Sequence, residues 1–177
     1  MSTPEPRSVS RDFLAQAREY FIRDYVPKIE RCLERLNDQE VWWRANEESN
    51  SIGNLILHLS GNARQWIVSG LAGADDRRER QTEFDERSVI PKAELLTNLK
   101  QAIAEVDTVL AEFDEEKLLT PYRIQNSDVT ALSAIFHVVE HFSMHTGQII
   151  LLTKLLTKKD LEFYDFPDGI PVYSWRE

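Results

Sequence analysis

Three of the chain's four histidines, His137, His141 and His145, fall in one stretch, HVVEHFSMHTGQ, at spacings of four. On a helix that spacing stacks successive side chains on one face, about 6 Å apart along the axis. Two such imidazoles can share one metal ion, as the helical H-x-x-x-H pair of zinc proteases does. The fourth histidine, His58, stands in a separate apolar stretch, NLILHLSGN. A three-ligand site needs such a second helix, because one helix rarely supplies a tripod. A lone histidine in an apolar helix is ordinarily a core residue with its hydrogen bonds satisfied. Here all four lie in the two most apolar stretches, with none elsewhere. Neutral imidazoles are costly to bury unpaired, and metal ligation satisfies them, so the pattern points to a metal site.

Competing chemistries lack their residues. Phe142 follows His141, so the H-E-x-x-H protease motif is absent. The bundle-type di-metal signature places Glu three residues before His, whereas here His137 precedes Glu140. No phosphate-binding loop, dinucleotide fingerprint or G-x-S-x-G nucleophile elbow occurs, and the six glycines are scattered. Helical spacing brings the amides Asn54, Asn62 and Gln65 close to the face of His58, and Gln148 close to His145. They are candidates to orient a ligand or the imidazoles, or else ordinary interhelical hydrogen bonds. Glu140 lies about 100° round the helix from His141, so no strong general base is evident. Cys32, the single cysteine, continues an apolar stripe and reads as a small buried hydrophobe.

The elements that must position these residues read as four long helices. A leader over residues 1–9, with Pro4 and Pro6, precedes a single domain over 10–177. The first helical stripe starts at Ser8 or Ser10 and runs through Phe13, Leu14, Ala17, Phe21, Tyr25, Ile29, Cys32, Leu33 and Leu36. Pro27 predicts a kink or break inside it. The second helix is capped at Ser51 and runs to about Leu71, the third starts at Pro91, and the fourth begins near Thr130. Around Ile149–Leu152 the fourth is apolar on every side, which predicts the most buried helix of an all-α bundle. The connections are long. Ten of the thirteen residues Asp75–Arg87 are charged, in mixed sign, which predicts a solvated loop. Residues 120–128 predict a short extended piece and a turn. The tail after Asp160, with Phe163, Tyr164, Phe166, Tyr173 and Trp175, is expected to pack back on the bundle, near its mouth.

Composition sets the outer bounds. The 177 residues carry 21 Lys+Arg against 30 Asp+Glu, a net charge of −9, and this acidity argues against nucleic acid as a partner. An apolar content of 42%, with eight Phe, five Tyr and four Trp, excludes intrinsic disorder. One cysteine excludes an internal disulfide framework and any Cys-rich metal site. No apolar run approaches the roughly 18 residues of a membrane span, so no membrane association and a cytoplasmic location are expected.

NLILHLSGN, followed by IFHVVEHFSMHTGQI, resembles the DinB-like superfamily of four-helix metalloproteins, over essentially the whole chain from about residue 10. Within it the chain is most similar to an uncharacterised subgroup with an H-x-G-Q ending and a terminal Phe-Tyr, here Phe163-Tyr164. The resemblance implies a DinB-like four-helix bundle binding one divalent metal (Zn, Ni, Fe or Mn) through His58, His141 and His145. It implies a pocket or supporting place for His137, beside Asn62 and Gln148. Many relatives have Arg after the last ligand, where this chain has Thr146, so that residue's role does not carry over. The resemblance further implies kinship with metal-dependent transferases of low-molecular-weight thiols such as bacillithiol or mycothiol, and a homodimer. Three imidazoles leave a coordination position open, as in catalytic zinc sites. Two readings follow: a thiol S-transferase, or a metal-assisted hydrolase, acting on a small molecule; and a non-catalytic stress-response protein whose metal is structural.

Overall fold

The computed structural model describes residues 8–173. Ser8, one of the two expected starts of the first helix, accepts a hydrogen bond from Arg11 N and caps α1 (Val9–Tyr20); residues 1–7 lie outside the described residues. α1 passes without a break through a π turn (Phe21–Tyr25) into α2 (Val26–Glu34). Pro27 therefore does not end the helix. Pro27 has no N–H to donate and sits in the first turn of α2, and the widened turn just before it absorbs the mismatch, Val26 N reaching back to Phe21 O.

A short α3 (Asp38–Val41) precedes α4 (Ile52–Ala63), which continues into a second π turn (Arg64–Ser69). Ser51 and Asn54 form a reciprocal capping box at the start of α4. Next come α5 (Arg80–Asp85) and α6 (Lys92–Glu112), with Pro91 one residue earlier than expected, as the cap. A hairpin of β1 (Pro121–Ile124) and β2 (Ser127–Thr130) leads into α7 (Ala131–Thr157), whose cap is Thr130. Gln125 and Asn126 both have positive φ, as a two-residue hairpin turn requires. β3 (Tyr164–Asp165) and β4 (Val172–Tyr173) form a second small ladder.

The architecture is the expected helical bundle, with only these two small antiparallel sheets beside the helices. Both α1–α2 and α4 pack against α6 and against α7, which sets the four rods as a closed square around one core. Phe142 of α7 is fully buried at its centre, 5.2 Å from the ring of Phe21.

Three expectations change. α7 is not buried on all sides: Leu132, Phe136, Met144, Leu151 and Leu155 are exposed on its outer face, interspersed with Ser133, Glu140, Ser143 and Lys154. Among its described residues the tail is buried only near its start. Leu161 and Phe163 are buried and Glu162 meets Arg31 and Arg35, while Phe166, Ile170, Val172 and Tyr173 are exposed; Trp175 lies outside the described residues. The segment Asp75–Arg87 is exposed over most of its length, as expected, but it is not a loop throughout. It carries α5, and Arg78 and Glu83 point inward from it, because a paired charge satisfied on every side tolerates burial.

Candidate metal centre

α4 and α7 run antiparallel, so His58 meets His141, and Asn62, one turn further along, meets His137. His58 Nε2 lies 2.8 Å from His141 Nε2. One ligand atom from each of His58, His141 and His145 falls within 4.8 Å of the others. Ligands about 2.0–2.1 Å from a tetrahedral metal stand roughly 3.3 Å apart, so small side-chain shifts suffice to seat an ion. His58 and His145 are buried, whereas His141 is half-buried and gives the cluster its contact with solvent.

The outer nitrogens decide which atoms face inward. His145 Nδ1 is 2.7 Å from Gln148 Oε1, an acceptor, so Nδ1 carries the proton. His145 Nε2 is then an unprotonated acceptor, buried and without a hydrogen-bond partner among the described residues. An orphaned, inward lone pair beside two other imidazoles is what a metal ligand looks like before the metal is considered. His58 Nδ1 lies 2.9 Å from Glu83 Oε2. Arg78 Nη2 is also 3.1 Å from that nitrogen. With Nδ1 donating to the carboxylate, Nε2 is the unprotonated nitrogen, and it faces His141 Nε2 across 2.8 Å.

Burial, then the neighbouring His145, His58, His137 and Arg78, pushes the His141 imidazole down to about 3. Burial is also the first cause lowering His137 and His145. All three are neutral near pH 7, the form that ligates. The Glu83 carboxyl is pushed up by burial, but hydrogen bonds from Arg78 and His58 outweigh this and hold it below the usual range.

The remaining expected residues divide. Gln148 orients His145, and Asn62 Nδ2 lies 3.4 Å from His137 Nε2. His137 lies between Trp66, in a tilted contact at 4.3 Å, and His141, in a stacked one at 5.4 Å, beside the triad and not in it. Asn54 and Gln65 do not touch the imidazoles. Asn54 Nδ2 donates to the carbonyls of Glu83 and Glu86, and Gln65 binds Asp76 and Arg78, so both hold the 75–87 segment on α4. Glu140 is exposed and lines a groove with Tyr20, Asp24 and Lys28. Thr146 is buried along that same groove, and Cys32 is fully buried, its thiol pushed up to about 11 by burial.

Arg78, Glu83 and Phe84, whose ring lies 4.6 Å from that of His58, were hidden from the sequence reading. The one available signal was Gly61, a turn beyond His58. A Cβ there would overlap Glu83 Oε1 and stand 2.8 Å from Arg78 Nε.

The fold and the cluster together define a helical-bundle protein with a three-histidine site able to hold a metal ion. The chain belongs to the family described as Protein of unknown function (DUF1572), whose model matches residues 8–170. Its fold is the DinB-like one. A conserved protein from Enterococcus faecalis is similar at a TM-score of 0.63 and 18% identity, covering 87% of this chain and all of that one. A DinB-like protein from Bacillus subtilis is similar at a TM-score of 0.62 and 16% identity, covering 82% and 94%. Another from Bacillus cereus gives 0.57 and 17%, covering 78% and 91%. No curated protein matches the chain.

Proposed function

We propose that His58, His141 and His145 hold one divalent metal ion (Zn, Ni, Fe or Mn) and that the protein is a metal-dependent transferase acting through a small thiol. The observation that carries this reading is the shared orientation of His58 and His145. Each commits Nδ1–H to a fixed acceptor, leaving its Nε2 unprotonated toward the cluster, where that of His58 faces His141 and that of His145 has no partner among the described residues. Three neutral imidazoles leave the ion's charge uncompensated and at least one position open, which favours an anionic fourth ligand. Such an ion supplies Lewis acidity that lowers the pKa of a thiol or water in that position.

Around that position the chain's own residues bind and orient. Gln148 and Glu83 hold two rings in place, and Phe84 covers one face of His58. His137 and Trp66, in tilted ring contact, form an aromatic wall one turn away, suited to the body of a small substrate. On this reading the protein works in the cytoplasm, where thiols stay reduced. No described helix is long and apolar enough to cross a membrane. The outer face of α7, with its exposed apolar residues, is the face we assign to a homodimer.

One observation favours a structural metal instead: neither nearby carboxylate is free to act as a base at the cluster. Glu83 is held by Arg78, and Glu140 is exposed on the groove beside α1. Elemental analysis of purified protein, with His58→Ala beside it, tests the metal. About one equivalent, lost in the variant, is expected; no bound metal in the wild type would overturn the reading. Incubation of the loaded protein with common thiols and a chlorodinitroarene then separates the two roles. Metal-dependent conjugation is expected, and its absence with every thiol would leave the structural role.

A further inference from the structure

The 75–87 segment is built at a cost that a surface loop has no reason to bear. The side chains of Arg78 and Glu83 are only 5% and 10% exposed. Burying two charges carries a desolvation penalty that only close, well-satisfied geometry offsets. That geometry is present. Arg78 Nε donates to Glu83 Oε1 at 2.7 Å and Nη2 to Oε2 at 2.8 Å, a two-pronged clamp. The same Oε2 accepts from His58 Nδ1 at 2.9 Å. The pair lies flat on α4 only because residue 61 has no side chain.

Anchoring the segment does not explain the pair, because backbone anchors already exist. Asn54 holds the carbonyls of Glu83 and Glu86, and Arg44 Nη2 donates to Glu86 O as well. What the carboxylate adds is contact with a single ring nitrogen. A neutral imidazole has one lone pair, and the wrong tautomer would direct an N–H into the cluster where a ligand is needed.

We propose that Glu83 is a positioning residue. It fixes His58 as the Nδ1–H tautomer and aims Nε2 at the cluster, while the two-pronged contact of Arg78 holds the carboxylate in place. The inference rests on the metal reading above and assigns to the charged segment a part in assembling that site. A carboxylate behind a ligating histidine raises its basicity as well as orienting it, and losing such a partner typically lowers metal affinity about 10–100-fold.

Glu83→Gln keeps the shape but lets residue 83 donate as well as accept, so both tautomers of His58 become populated. Because it strands the Arg78 charge, a double variant, Arg78→Gln with Glu83→Gln, accompanies it and removes both charges together. Two readouts are taken on wild type and both variants: Zn(II) affinity by competition with a chromophoric chelator, and the His58 ring protonation by long-range 1H–15N correlation in the metal-free protein. Expected are a single Nδ1–H tautomer in wild type, mixed tautomers in the variants, and Zn(II) affinity lowered about 10–100-fold. Wild-type affinity in either folded variant, or a wild-type His58 protonated on Nε2, would overturn the role of Glu83 and leave the metal reading standing. A wild type that binds no Zn(II), Ni(II), Fe(II) or Mn(II) would overturn the metal reading itself.

Discussion

His141 illustrates how burial prepares a side chain. In the unfolded chain its imidazole takes up a proton below about 6.5; in the folded one burial, then the surrounding imidazoles and Arg78, delays this to about 3. Between those values the unfolded state binds more protons, so stability falls as pH falls. Thermal unfolding of chelator-treated protein is expected to show a declining Tm from about pH 6.5 downward, above the range where carboxylates titrate. A Tm flat from pH 7 to 5 would mean that the histidines are not held neutral. Helical spacing put His137, His141 and His145 on one face and left open which of them joins His58; the choice of His141 and His145 came from the family resemblance, and one ligand atom of each of these two and of His58 lies within 4.8 Å of the others. The partners on the outer nitrogens were legible only in part. Gln148, three residues from His145, was within reach of helical spacing; Glu83, 25 residues from His58, was not.

At the scale of elements, the caps at Ser51 and Thr130 and the apolar stripes marked the rods. Periodicity reports which residues avoid water, and so it misread two elements for opposite reasons. The strap over Arg78–Glu83 hides charges that satisfy one another, and a pattern of charge looks the same whether it faces water or a partner. α7 carries apolar residues on its outer face as well, and an all-round apolar pattern reads as burial inside one chain whether or not the chain itself covers it. With Phe136 at 58% and Leu151 at 59% exposure, that face calls for a covering surface. If it is a second copy, light scattering will give twice the monomer mass, and Phe136→Glu combined with Leu151→Glu will return the protein to monomer. A wild-type monomer at high micromolar concentration would remove the dimer from the proposal.

In the whole molecule, one core serves all four rods, and the long connections carry the supporting residues. Two of those connections converge on a single amide. Gln65 Oε1 accepts from Arg78 of the 75–87 strap at 2.8 Å and from Gln125 at the tip of the β1–β2 hairpin. The strap stands behind His58 and the hairpin leads into the helix that bears His141 and His145. These two stretches, about forty residues apart along the chain, therefore share a fastening and should open as one unit rather than independently. Native-state hydrogen exchange should then report a common opening free energy for both, and Gln65→Ala should lower their protection in parallel while leaving the α6 amides unchanged. Separate responses would make them two local structures that happen to be neighbours. On the shared-fastening view, the bundle gathers its two surface excursions at one side chain, and a fluctuation in either reaches both halves of the histidine cluster at once.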